Sequence, residues 1–148
     1  MSRPASVPYA TTLLVRDGCL CLQVQRAARA LARRFDAALQ PLGLTNGQFS
    51  LMMSLNRPQP AGMADVATLL AMDRTTLTAA LKLLERRGLV KVTPDPADRR
   101  SRLLTLTPKG KGLLARAVPV WESTHKKIEA ALPSGTAASL RTDLRALS

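Results

Sequence analysis

The sequence predicts a mostly α-helical fold with a small β hairpin past its midpoint, and three observations carry that prediction. Between Met63 and Thr107 the apolar spacing runs helix, short turn, helix, then two strands. That block is basic: residues 73 to 111 hold ten basic and four acidic side chains, half of the net charge of +12 in about a quarter of the 148 residues. On either side of it lie long segments whose apolar residues recur at steps of three and four.

The elements follow in order. The first ten residues, with Pro4 and Pro8 and no apolar run, are expected to be a loose arm and not a secretion signal. Leu20, Val24, Ala27, Ala28, Leu31, Phe35, Ala38 and Leu39 predict one long amphipathic helix over 13–40, ending before Pro41 and Gly43. Thr45 followed by Gln48 is a capping box, opening a helix through Leu55. The stretch from Pro58 to Gly62 reads as a loop. Val66, Ala67 and Leu70 give the inner face of a helix from Met63 to Ala71, and Asp73 is the expected N-cap of the next. In that second helix Leu77, Ala80, Leu81 and Leu84 face inward, leaving Arg74, Thr75, Thr76, Thr78 and Lys82 outward. Gly88 suits the left-handed residue that ends a helix. Leu89 to Thr93 is a strand, Pro94 to Ser101 a turn, and Arg102 to Leu106 the return strand. Thr107 and Pro108 then signal another long helix, striped by Leu113, Ala117, Val120, Trp121, Thr124, Ile128 and Leu132 and kinked at Pro119. A last helix starts at Pro133-Ser134 with Ala137, Leu140, Leu144 and Leu147 inward.

This order defines a winged helix-turn-helix, and its charge points to double-stranded DNA. A solvated basic face on an ordinary helical domain would explain solubility but not the order of elements. Cationic surfaces of this kind gain affinity by releasing counterions from phosphates, so binding weakens as salt rises. Arg74, Thr75, Thr76 and Thr78 are the expected contacts to base edges and nearby phosphates, and Lys82 a phosphate contact further along. The terminal helices carry apolar stripes too long for the surface of a soluble monomer, which predicts that they pair across a two-fold axis. Two reading helices one DNA turn apart then match a palindromic operator.

The residues also carry a resemblance. The runs Asp73-Arg74-Thr75-Thr76-Leu77-Thr78, Leu84-Glu85-Arg86-Arg87-Gly88-Leu89-Val90, Asp95-Pro96-Ala97-Asp98-Arg99-Arg100-Ser101 and Leu106-Thr107-Pro108-Lys109-Gly110 are similar to the MarR family of bacterial transcription regulators, in the family's order and spacing. The resemblance implies a homodimer with dimerisation helices at 13–40 and 107–148 and a DNA-binding lobe at 45–106. It also implies release from the operator by a small phenolic or lipophilic compound, or by an oxidant. In the wing, it implies that Arg100 enters the minor groove while Arg99 braces the hairpin against a carboxylate. Asp95 and Asp98 are accordingly expected to neutralise and position wing arginines. Ala71 departs from the pattern, since many members have glycine in that turn.

Two kinds of switch are open. Cys21 falls where the organic-hydroperoxide-sensing branch of the family keeps its reactive cysteine, but Phe35 and Asn46 occupy positions where that branch uses tyrosines. Residues two apart on a helix point about 200° apart, so Cys19 and Cys21 do not close an intrachain disulfide while that helix is intact. Either cysteine is a candidate for pairing across a dimer, and Cys21 is equally a candidate for simple packing in the row Cys21, Ala28 and Phe35. The other switch is a small aromatic or lipophilic effector between the dimer helices and the reading lobe, lined by Phe49, Met52 and Met53, with His125 beside Trp121 as a further contact. These give a repressor released by a small molecule, with a cysteine-based oxidant sensor and an architectural DNA-binding protein as alternatives.

Composition excludes other classes. One histidine, two cysteines, no nucleophile-histidine-carboxylate set and no glycine-rich phosphate loop predict no enzyme, no metal and no cofactor. No run of 18 apolar residues is present, so no membrane span is expected and the cytoplasm is the expected location. Aromatic residues are 3% of the chain, so a core must be built from Leu, Val, Ala and Met, which the 46% hydrophobic content allows.

Overall fold

The computed structural model describes residues 6–148. In chain order the elements are α1 (Tyr9–Gly18), α2 (Leu20–Leu39), a 3-10 turn (Gln40–Leu42), α3 (Asn46–Ser54), β1 (Ala61–Gly62), α4 (Met63–Leu70), α5 (Arg74–Arg86), β2 (Val90–Asp95), β3 (Asp98–Leu106), α6 (Pro108–Ala130) and α7 (Thr136–Ala146). The fold is mostly helical with a small antiparallel sheet, as the spacing predicts. Among the described residues no helix is long and apolar enough to cross a membrane.

Four boundaries differ from the sequence expectation, each for a local reason. The single helix expected over 13–40 is two helices, because Cys19 is extended (φ −76°, ψ 110°) after Asp17-Gly18. Glycine lowers helix propensity there, and Cys19 becomes the N-cap of α2. The loop expected up to Gly62 ends in β1, which pairs Ala61 with Leu104 and Gly62 with Leu103, so the sheet has three strands in the order β1-β3-β2. A two-residue strand is too short to show alternation. The wing turn is also tighter than expected, since Pro94 and Asp95 belong to β2 and Asp98 already belongs to β3. Pro94 is tolerated because β2 is an edge strand with an irregularity at Pro94/Asp95. Finally, α7 begins at Thr136 and not at Pro133-Ser134, behind Gly135 in the left-handed region (φ 76°). The expected loose arm lies partly outside the described residues, and from Tyr9 onward the chain is helical.

The predicted caps form. Thr45 accepts the Gln48 N–H at 3.1 Å while the Thr45 N–H donates to Gln48 Oε1 at 3.1 Å. Thr107 accepts the Gly110 N–H at 3.0 Å, with Pro108 opening α6. Gly88 has φ 71°. The helix α6 continues through Pro119, although the proline takes one N–H out of its ladder.

The core gathers under the sheet. Leu39, Leu51, Met52, Val66, Leu77, Leu84, Leu89 and Leu104 are fully buried, drawn from the end of α2 and from α3, α4, α5 and the wing. Where α5, the wing and α6 meet, the backbones touch. The Thr107 hydroxyl donates to the Gly88 carbonyl at 2.6 Å, the Thr107 N–H to the Leu89 carbonyl at 3.1 Å and Lys109 Nζ to the Arg87 carbonyl at 2.8 Å. A side chain at Gly110 would overlap the Leu89 carbonyl, so only glycine permits this approach. The stripe of α2 is buried at Phe35 and Leu39 but exposed at Leu20, Val24 and Leu31. Leu140 and Leu144 of the last helix and Leu147 just past its end, all expected to face inward, are likewise exposed in the single chain.

The turn between α4 and α5 explains the departure at Ala71. Its φ is 51°, and among the described residues it alone is a non-glycine in that region. The N–H of Met72 bonds the Ala67 carbonyl at 2.9 Å and that of Ala71 the Thr68 carbonyl at 3.2 Å, a left-handed helix ending that glycine adopts without strain. Replacing Ala71 by Gly should therefore stabilise the chain by about 1 kcal/mol, measured as a shift in the urea midpoint at unchanged slope. A loss of stability would show that the turn does not strain the alanine.

Candidate nucleic-acid interface

The reading face begins with the cap of α5. Asp73 accepts the Thr76 N–H at 2.8 Å and the Thr76 hydroxyl at 2.7 Å. These bonds, the backbone one foremost, hold the Asp73 carboxyl below the usual aspartate range. Leu77, Leu81 and Leu84 are buried, which turns Arg74, Thr75, Thr76, Thr78 and Lys82 outward together. The threonines are not alike. Thr76 gives its hydroxyl hydrogen to Asp73 and Thr78 gives its own to the Arg74 carbonyl at 2.7 Å, whereas the Thr75 hydroxyl makes no hydrogen bond among the described residues.

The wing extends the same basic surface. Arg99 and Arg100 are exposed near its tip, on β3. The acids of the wing turn act differently from the expectation that they pair with arginines: Asp95 accepts the Ala97 N–H at 2.9 Å and Asp98 accepts the Arg100 N–H at 2.9 Å. Both carboxylates are thus spent on the backbone of the turn, as short acidic side chains commonly are. Ion pairs among the described residues join only Arg16 to Asp17 and Glu129 to His125 and Arg141, so Arg99 has no carboxylate brace and both wing guanidinium groups are unpaired.

A second site lies between this lobe and α6. A crevice of about 400 Å³ is bounded by Phe49, Met53, Leu69, Val118 and Trp121, with Ser50 and Ser54 at its edge. Phe49 and Met53 line it as expected. Met52 does not: it is wholly buried in the core, because neighbours on a helix point about 100° apart and α3 turns only one of the pair outward. Phe49, Trp121 and His125 stack in series, with ring centroids 6.3 and 4.7 Å apart. Trp121 is the lining residue that spacing alone placed in a stripe; only the crossing of α6 over α3 brings it to the crevice.

The cysteines sit apart from both sites. Cys21 is exposed, and Gln25 Nε2 donates to its Sγ at 3.3 Å. Packing within the stripe is therefore not its position in the single chain. Cys19, at the break between α1 and α2, is half-buried, and both thiols are free.

A buried-backed basic helix, an unpaired arginine wing and a crevice behind them define a winged-helix regulator. The MarR family model matches residues 44–101. The transcriptional activatory protein BadR of Rhodopseudomonas palustris is 38% identical over 95 residues, covering 62% of this chain and 54% of that protein. The HTH-type transcriptional repressor NicR of Pseudomonas putida is 32% identical over 101 residues, covering 66% and 64%. The chain thus spans between half and two thirds of the length of these curated relatives. The transcriptional regulator MOSR of M. tuberculosis, solved in complex with DNA, superposes with a TM-score of 0.79 at 36% identity, covering 87% of this chain and 92% of that one. This chain belongs to the MarR family of winged-helix transcription regulators, which are not enzymes.

Two outcomes follow from the geometry. Arg100→Ala should weaken binding to a specific duplex by about 1 to 3 kcal/mol without changing the melting temperature, whereas Lys82→Ala should weaken specific and bulk DNA alike and reduce the salt slope by about one unit. Because the folded Asp73 carboxyl titrates below its unfolded value, its cap is intact above the ordinary aspartate range and is lost as pH falls through the lowered value. Hydrogen-exchange protection of the Thr76 amide should fall with acid in the wild type and stay flat in Asp73→Asn.

Proposed function

We propose that this chain is a homodimeric repressor of a palindromic operator in the cytoplasm, released when a small aromatic or lipophilic effector enters the crevice. The carrying observation is that one chain presents a single reading helix together with apolar faces that it does not cover. Leu14 is 73% exposed, Leu20 68% and Leu147 64%. Apolar surface of that extent on α1, the upper half of α2 and α7 favours a second copy, and two-fold pairing supplies the second reading helix. On this reading α1, α2, α6 and α7 assemble the dimer while residues 45–106 contact DNA, with Arg74, Thr75, Thr76, Thr78, Lys82, Arg99 and Arg100 at the duplex.

The crevice supports the release step. Its lining carries no charged side chain, and its walls belong to α3 and α4 of the lobe and to α6. A flat ring laid against Trp121 would push these walls apart and so change the separation of the paired reading helices. The repressor sign rests on the likeness to NicR; BadR is named an activatory protein, so a reporter assay has to accompany binding. The expected results are a dimeric mass, a footprint with two half-sites one DNA turn apart, and reporter expression that rises when the chain is deleted. A monomer protecting one half-site overturns the assembly, and a reporter that falls on deletion overturns the sign.

The exposure of Cys21 favours one second reading, an oxidant switch. The tyrosine hydroxyls expected beside a sensing cysteine are replaced by Phe35 and Asn46, which argues against it. After treatment with an organic hydroperoxide, wild type, Cys19→Ser and Cys21→Ser should hold operator DNA equally. Release of wild type alone among wild type and Cys21→Ser would make Cys21 the switch.

A further inference from the structure

Helix α5 closes its own end only in part. The Gly88 N–H donates to the Glu85 carbonyl at 2.9 Å and the Leu89 N–H to the Leu84 carbonyl at 3.0 Å, with Gly88 in the left-handed region at φ 71°. The carbonyls just past the helix, those of Arg87, Gly88 and Leu89, are bonded from the start of α6. Lys109 Nζ donates to the first at 2.8 Å, the Thr107 hydroxyl to the second at 2.6 Å and the Thr107 N–H to the third at 3.1 Å. The Thr107 hydroxyl works in both directions, since its oxygen also accepts the Gly110 N–H at 3.0 Å and so caps α6. Lys109 is one of the basic side chains of the DNA-facing lobe, yet its ammonium lies at the C-terminal, negative end of the α5 dipole, where a cation is favoured.

We infer that Thr107 and Lys109 are positioning residues for DNA selectivity, acting through α5 and not on the duplex: they fix the depth and tilt at which its reading face meets the bases. The inference rests on the reading of α5 as the helix that meets base edges. Along its length α5 packs against α4 and β2, and the bonds past its last turn refer it to α6. Attraction to phosphates tolerates a helix that rocks, because charge acts over several ångströms, whereas hydrogen bonds to base edges fail over much smaller displacements. Loosening the end of α5 therefore lowers affinity for a chosen sequence and spares affinity for bulk DNA.

The test is a titration, well below the melting temperature of each variant, with a duplex selected by the wild type from a random pool and with bulk duplex DNA. Thr107→Ser keeps both bonds of the hydroxyl, Thr107→Val keeps neither, and Thr107→Asp keeps an acceptor for the Gly110 N–H but offers the Gly88 carbonyl no hydrogen. The ratio of the two affinities should stay at the wild-type value in Thr107→Ser and fall about tenfold in Thr107→Val and Thr107→Asp. Lys109→Met should lower the same ratio with the salt slope for bulk DNA unchanged. A ratio that survives in Thr107→Asp overturns the inference and leaves Thr107 as a helix cap. Equal weakening of both duplexes in Lys109→Met, with a salt slope reduced by about one unit, also overturns it and assigns Lys109 to a phosphate. Arg74→Ala separates this inference from the reading of α5. A ratio lowered in Arg74→Ala but intact in Thr107→Val and Thr107→Asp overturns the inference alone, and a ratio intact in Arg74→Ala overturns both.

Discussion

The position of the reading helix depends on a contact between backbones. Thr107 is bonded to the carbonyls of Gly88 and Leu89, and the absence of a side chain at Gly110 lets the start of α6 lie against Leu89. Four elements meet in that contact: the end of α5, the start of β2, the end of β3 and the first turn of α6. Backbone hydrogen bonds tolerate only a few tenths of an ångström, so α5 and α6 move as one piece unless the contact opens. The wing inherits the same anchor, because β2 leaves it and β3 returns to it. Helix α5 and the wing are thus both referred to α6, which also forms one wall of the crevice.

What was legible in the sequence was local. Asp73, Thr45 with Gln48, and Thr107 with Pro108 act on N–H groups within three residues, and a three-residue interaction leaves a fixed spacing. The outward set on α5 was legible for a related reason, since Leu77, Leu81 and Leu84 fix the inner face and geometry assigns the rest. The break at Cys19 was not legible, because the apolar steps of α2 continue into α1 across it and period alone ignores one extended residue. Strand β1 exists only through its pairing with Leu103 and Leu104, forty residues on, and leaves no pattern of its own. Met52 and Met53 are chemically identical neighbours, and only the packing of α3 against α4 and α6 decides which faces the crevice.

Charge is distributed with little internal compensation. The acids nearest the reading surface, Asp73, Asp95 and Asp98, are consumed in capping a helix and tying a turn, and their negative charge shapes backbone without pairing a wing arginine. The cationic field of the lobe therefore reaches solvent with its strength kept, which favours rapid, salt-sensitive encounter with a polyanion. On α5 the hydroxyl hydrogens of Thr76 and Thr78 are spent on Asp73 and the Arg74 carbonyl, which leaves fewer free donors than its side chains suggest.

The chain contains one tryptophan, and it is the residue whose ring lies between Phe49 and His125 at the edge of the crevice. All of the indole emission of this protein therefore originates at that wall. Anything that slides between Trp121 and Phe49, dries the crevice or shifts α6 against α3 alters the colour and intensity of a single emitter. The fold comes with an intrinsic optical gauge, placed on the seam between the lobe that reads and the helix that carries it.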